Sequence, residues 1–248
     1  MRKVPALELR NVSYALDGRT ILDSVDWSVR PGEHWAILGP NGSGKTTLLR
    51  IACGFLWPNA GGEVKRNGET LVNLPELRKS IGWVTASLAG EIPRREPALQ
   101  TVVSGKYAQM GLFSWPWNKP TRSDFKRAEK YLAQMGAARL KRQEFGTLSQ
   151  GEQQKVMIAR ARMTRPYLVL LDEPCAGVNP SLVDQLRDLL VELNKVQGGS
   201  FVVIEHNMDF IMKLCPHVIC MVEGRVLAEG PPQAVQSNRQ VLEAYLGN

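Results

Sequence analysis

Eight consecutive residues, Gly39-Pro40-Asn41-Gly42-Ser43-Gly44-Lys45-Thr46, have the types and spacing that hold a phosphate chain. They fit G-x-x-x-x-G-K-[ST] at every position. Glycines let successive backbone N–H groups turn inward around phosphate oxygens, where a side chain would collide. The helix expected to follow, with Thr47 in its first turn, adds the partial positive charge of its N-terminus. Lys45 suits the β- and γ-phosphates, and the Thr46 hydroxyl suits Mg2+. Ordinary residue frequencies give about 1% for one chance match in a chain of this length, which makes nucleotide binding the better explanation.

Two carboxylates, Asp172 and Glu173, follow the apolar run Tyr167–Leu171. Ligands of open α/β sheets bind at the carboxyl ends of the strands. At such an edge Asp172 would hold Mg2+, and Glu173 would orient and deprotonate an attacking water. A strand-ending acidic turn is common without any chemistry; the phosphate loop in the same chain is what favours catalysis. A guanine-reading N-K-x-D is missing, since Asn194-Lys195-Val196-Gln197 lacks the acid. That points away from a GTPase.

The elements that must position these residues are readable from periodicity. Leu7–Leu9 and Val25–Val29 alternate apolar and polar, with turns at Asp17-Gly18 and Pro31-Gly32, as in antiparallel strands. Trp35–Leu38, Tyr167–Leu171 and Phe201–Ile204 are continuous apolar runs, as in strands buried on both faces. Helical periodicity appears over Asp124–Met135 and Glu152–Met163, broken between Leu88 and Asp124 by Pro116 and Pro120. A further helix is expected over Ser181–Val196, with Asn179 as cap, Pro180 in the first turn and Leu182, Leu186, Leu189, Leu190 and Leu193 on one face. Val218–Val222 and Val226–Ala228 flank Glu223-Gly224-Arg225 as a hairpin. Strand–helix alternation predicts a parallel α/β core, an antiparallel N-terminal portion and a helical insertion over about 88–165, all within one domain, 1–248.

Composition narrows the remaining classes. A chain of 248 residues buries enough surface to fold without disulfide or metal. Charges interrupt every apolar stretch before a membrane span is reached, and no apolar core for a signal peptide follows Met1. Lys and Arg number 31 against 24 Asp and Glu, a net +7. The basic residues are scattered, as on a solvated surface, so no specific nucleic acid is expected. Cys53, Cys175, Cys215 and Cys220 have no metal spacing and read as small buried hydrophobes in a reducing cytosol.

Leu148-Ser149-Gln150-Gly151-Glu152-Gln153-Gln154 opens the second middle helix. Ser149 and Glu152 form an S-x-x-E capping box, a sufficient structural reason for both. The run nevertheless resembles the LSGGQ signature of ATP-binding-cassette (ABC) ATPases. Phosphate loop, signature, Asp172-Glu173 and a later His206 occur in that family's order and spacing across essentially the whole chain. The resemblance implies a RecA-like P-loop NTPase core and MgATP hydrolysis. It also implies a head-to-tail dimer, with itself or a related subunit, with two ATP molecules at the interface. Ser149, Gln150, Gly151 and Glu152 would then face ATP bound by the other subunit, with the donors of Ser149 and Gly151 turned outward. Tyr14 lies where the family stacks an aromatic on adenine, although a core aromatic would read the same. His206, at a strand end, resembles the histidine that senses the γ-phosphate and supports the base.

Two positions depart from the family. Its glutamine after the strand Ile81–Thr85 is here Ala86, followed by Ser87, and Ala176-Gly177-Val178-Asn179 ends in asparagine where aspartate is usual. Alanine can neither touch Mg2+ nor orient water. Glu205-His206-Asn207-Met208 and the ending Val241–Gly247 resemble ATPases of branched-chain amino-acid importers, while the segment around Asp172–Gly177 resembles molybdenum-type ATP-binding proteins. Residues 86–120, with Trp115-Pro116-Trp117, fall where the family docks its membrane partner; packing within the insertion is the alternative use for those aromatics. The expectation is a cytoplasmic ATPase, peripheral at the inner membrane face and working with a separate transmembrane permease. The alternative is a soluble ABC ATPase that remodels protein or nucleic acid. A nucleotide kinase would have no use for the signature.

Overall fold

The computed structural model describes residues 4–116, 119–179, 183–188, 190–191 and 199–246. In chain order the strands are β1 (Leu7–Leu16), β2 (Arg19–Val29), β3 (His34–Leu38), β4 (Glu63–Arg66), β5 (Ile81–Thr85), β6 (Leu168–Asp172), β7 (Ser200–Ile204), β8 (His217–Val222) and β9 (Arg225–Gly230). The helices used below are α1 (Lys45–Ala52), α2 (Leu74–Ser80), α3 (Ala86–Gly90), α4 (Ala98–Ser104), α5 (Arg122–Gln134), α6 (Gln150–Ala161) and α7 (Met208–Leu214). The chain divides into two compact units, Met1–Leu77 with Gly198–Asn248, and Arg78–Gln197.

The first unit holds an antiparallel sheet in the order β2-β1-β4. Leu7 faces Val29 and Val12 faces Val25 across β1 and β2, and the connecting turn is Asp17-Gly18, both at positive φ. That turn matches the right-handed twist of the two strands. In the same unit β3 lies parallel between β7 and β8, and β9 closes a hairpin on β8. All five residues of β3 are buried, which explains its unbroken apolar texture. Arg66, at the end of β4, is 2% exposed, an unusual place for a guanidinium. Its Nε donates to Ala52 O at 2.8 Å and its Nη2 to Ile51 O at 2.5 Å, so it ties β4 to the last turn of α1.

The second unit contains β5 and β6, parallel and in register from Ile81 opposite Leu168 to Thr85 opposite Asp172. It takes in the whole 88–165 segment expected to be helical. The helices expected over Asp124–Met135 and Glu152–Met163 are α5 and α6, each starting two residues earlier because Thr121 and Ser149 cap them. Asp124 is 1% exposed and accepts from Lys106 Nζ at 2.7 Å, Tyr107 Oη at 2.9 Å and Thr121. Burial alone would raise its carboxyl; those donors outweigh it and hold the group well below the usual carboxylate range. The helix expected over Ser181–Val196 is helical at 183–188 and 190–191, with Leu186 and Leu190 buried. Pro180, Leu182, Leu189 and Leu193 lie outside the described residues. Cys53, Cys215 and Cys220 are buried as expected, whereas Cys175 is only half-buried, because it sits in the turn after β6. Among the described residues no helix is long and apolar enough to cross a membrane.

At the amino end of the parallel strands, His34 stacks on Phe201 with ring centroids 3.9 Å apart, and His217 stacks on Trp35 at 4.8 Å. Burial, helped by the neighbouring His217, pushes the His34 imidazole down to about 4. The unfolded chain binds this proton more tightly, so the stability is present above pH 6.5 and lost as pH falls toward 4. Between pH 7 and 5 the wild-type chain should lose about 2 kcal/mol more than His34→Phe in urea denaturation. Equal losses in the two proteins would contradict this.

Candidate functional site

In the first unit, β3 runs straight into the phosphate loop. Gly39 has φ 144°, and a Cβ there would overlap the Met221 carbonyl oxygen and stand 2.7 Å from Ser43 Oγ. Gly44 has φ 95°, and its Cβ would lie 2.8 Å from both Ile21 O and Leu22 Cδ2. Gly42, at φ 81°, faces open space. Lys45 is 6% exposed, and its Nζ donates to Gly39 O at 2.7 Å and Pro40 O at 2.9 Å, so the ammonium closes the loop on itself. Ser43 N–H donates to Pro40 O, while Ser43 Oγ is buried without a hydrogen-bond partner. An unspent buried hydroxyl in an N–H-rich loop fits a site that receives an oxygen-rich ligand.

The β8–β9 hairpin supports this loop from behind. Gly224 N–H donates to Ser43 O at 3.2 Å, and Gly224 O accepts from Asp23 N–H at 2.9 Å. The hairpin turn thus clamps the loop to β2, a role that hairpin periodicity alone did not reveal.

His206 joins the same edge through strand register. Ile37 of β3 pairs with Ile204 of β7, so Gly39 and His206, each two residues further on, leave the sheet level with one another. His206 is exposed, and its N–H donates to Glu205 Oε2 at 2.8 Å. Asn207 N–H shares that oxygen at 3.2 Å, and Asn207 Oδ1 caps α7 by accepting from Phe210 N–H. Glu205 thereby fixes the backbone on which His206 is presented, a contribution the sequence did not signal. Tyr14 lies on β1 opposite Leu22 and is half-buried rather than part of the core.

The second unit carries the other set. Thr85 pairs with Asp172, so Ala86 and Glu173 leave the sheet side by side. Glu173 is exposed at φ 51°, a left-handed conformation that costs a non-glycine residue about 1–2 kcal/mol. Ala86 is exposed as well and begins α3, where a loop glutamine was the family expectation. The Thr85 and Ser87 hydroxyls lie 3.4 Å apart beside it. A cleft of about 350 Å³ opens there, lined by Ala86, Gly90, Arg94, Gln150, Gln154 and Glu173 among others. The Gln154 Nε2 is buried without a hydrogen-bond partner.

The signature run forms the start of α6. Glu152 N–H donates to Ser149 Oγ, and the Glu152 carboxylate accepts from Ser149 N–H at 3.1 Å and Ser149 Oγ at 2.9 Å. Burial would raise the Glu152 carboxyl, but Ser149 and Arg139, 2.6 Å away, hold it below the usual range. The Ser149 donors, expected to face outward, are turned to Glu152 because a carboxylate at the third helical position attracts both. Asn179 accepts from Val183 N–H through its carbonyl, as at a helix start.

Thr46 and Asp172 supply hard oxygen donors of the type Mg2+ prefers. Among the described residues no cluster of three or more His, Cys, Asp or Glu could hold a metal by itself.

The contrast between two loop glycines is testable. Gly42→Ala should cost about 1–2 kcal/mol in chemical denaturation, the left-handed penalty alone. Gly39→Ala should cost clearly more and abolish binding of a fluorescent ATP analogue, since Met221 O leaves no room. Equal losses would refute the close-approach argument.

A family model described as "ABC transporter" matches residues 22–176, and one described as "Branched-chain amino acid ATP-binding cassette transporter" matches 225–248. The chain is 29% identical over 251 residues to the high-affinity branched-chain amino acid transport ATP-binding protein BraF of Pseudomonas aeruginosa, covering 98% of each. It is 33% identical over 243 residues to the ABC transporter ATP-binding protein YlmA of Bacillus subtilis, covering 96% of this chain and 90% of that one. The crystal structure of MJ1267, an ATP-binding cassette of an ABC transporter in its ADP conformation, superposes with a TM-score of 0.85 at 30% identity, covering 98% and 99% of the two chains. By these matches the chain belongs to the ABC transporter family and is an ABC ATPase.

Proposed function

We propose that this ATPase is the energy-coupling subunit of a transporter, binding two MgATP in a head-to-tail dimer and driving a separate transmembrane permease. The carrying observation is Lys45, whose ammonium donates hydrogen bonds to the carbonyls of Gly39 and Pro40 and is positioned to exchange them for phosphate oxygens. The family-model match over 225–248 and relatives such as BraF favour the branched-chain amino-acid importer group. The cargo itself is bound by the permease, so no substrate is assigned from this chain.

In the proposed cycle the loop from Gly39 to Thr47 binds the triphosphate, and Tyr14 stacks on adenine. Thr46 and Asp172 hold Mg2+, which when bound offsets charge on the β- and γ-phosphates. Glu173 accepts a proton from water as its oxygen bonds to the γ-phosphorus and the bridging P–O bond breaks, leaving ADP and phosphate. His206 donates to the γ-phosphate. Ser149, Gln150, Gly151 and Glu152 meet ATP held by the other subunit, and Ser149 must then exchange its bonds to Glu152 for phosphate oxygens.

Glu173→Gln should leave ATP binding intact, slow hydrolysis by several orders of magnitude, and shift the protein to a dimer in ATP on size-exclusion chromatography. A monomer under those conditions sinks the dimer proposal. Ala86 favours a second reading, a soluble ABC ATPase without a membrane partner. Co-purification with a multi-span membrane protein supports the transporter, and salt-dependent binding to DNA or RNA supports the alternative. Because Ala86 borders the cleft beside Glu173, Ala86→Gln should alter either the ATPase rate or its Mg2+ dependence. No change in both would show that the vacant amide has no catalytic consequence.

A further inference from the structure

Gln150 stands where LSGGQ has its first glycine, and its side chain reaches back within its own unit. A Cβ built on Gly177 would overlap Gln150 Oε1 and stand 2.8 Å from its Cδ and 3.3 Å from its Nε2. The whole amide therefore lies against the Gly177 backbone. Gly177 has φ 67°, so conformation favours glycine there, while a Cβ would push aside only the amide end of the exposed Gln150 side chain. It belongs to the turn that starts at Glu173: Ala176 N–H donates to Glu173 O, and Val178 N–H to Cys175 O, both at 3.1 Å. Gln150, Glu173 and Ala176 line one cleft. A left-handed Glu173 persists only where its surroundings impose it. Ser149, next to Gln150, caps α6 in this structure.

We infer that Gln150 is a positioning residue for Glu173: its amide seats on Gly177 and fixes the turn that presents the carboxylate. The signature of a subunit and the general base of the same subunit are thereby mechanically joined. This inference rests on Glu173 being the base. The glycine at this place in LSGGQ has no side chain to make the connection.

The test uses the full-length chain with Gln150→Ala, which removes the amide, Gly177→Ala, which displaces it, and the double variant. Each single change should lower kcat about tenfold, and in Gly177→Ala, which lies outside the residues that meet ATP, KM for ATP should stay within twofold. The double variant should be no slower than the slower single one, as for two halves of one contact. A Gln150→Ala kcat within twofold of wild type, a Gly177→Ala KM that rises as much as its kcat falls, or multiplying losses in the double variant each overturn the inference. Full activity in Glu173→Gln would instead overturn the base assignment, leaving a non-additive 150–177 pair as evidence of the contact alone.

Discussion

Backbone N–H groups can surround a phosphate only where the chain has no side chains to keep it at a distance, and the first unit is built around that restriction. At Gly39 the exclusion comes from the carbonyl of Met221, and at Gly44 from Ile21 and Leu22. The walls of an eight-residue loop are thus supplied by β2 and by a hairpin far along the chain. Parallel pairing of β3 with β7 then makes the exit points of the phosphate loop and of His206 level. The second unit repeats the device: β5 and β6 in register bring Ala86 and Glu173 out together. In both units strand register, more than loop sequence, decides which side chains are neighbours.

Much of this was readable in the sequence because it depends on local rules. The unbroken apolar texture of residues 35–38 follows from burial on both faces of β3, and helical periodicity located α5 and α6, although the caps Thr121 and Ser149 start each two residues earlier than that periodicity. The phosphate loop was readable because its chemistry tolerates few residue types. What escaped the sequence is long-range. Nothing near Gly224 announces that its N–H holds Ser43, nothing in β4 announces a buried Arg66, and the clamp of Glu205 on His206 and Asn207 requires the fold. In the single chain the Ser149 donors, expected to face outward, are taken by the capping box that starts the helix.

The start of α6 therefore has two uses that compete. As a helix terminus it needs its first N–H groups satisfied, and Glu152 does this with help from Arg139. In the proposed dimer, where it would face a nucleotide, it must release some of those donors. A carboxylate held ionised beside the run raises the cost of bringing a second anion close, whereas Arg139 lowers it. The balance between these two charges sets how readily the segment changes partners.

Arg66 has an effect at a distance from where it binds. Helix α1 has eight residues and is about 12 Å long, so the two ends of its backbone dipole are close enough to oppose one another at the phosphates. With a guanidinium seated on the carbonyls of Ile51 and Ala52, the negative end is masked. To an approaching nucleotide the helix then acts less as a dipole than as an isolated positive pole, and part of its pull on the triphosphate originates in a side chain that never touches it.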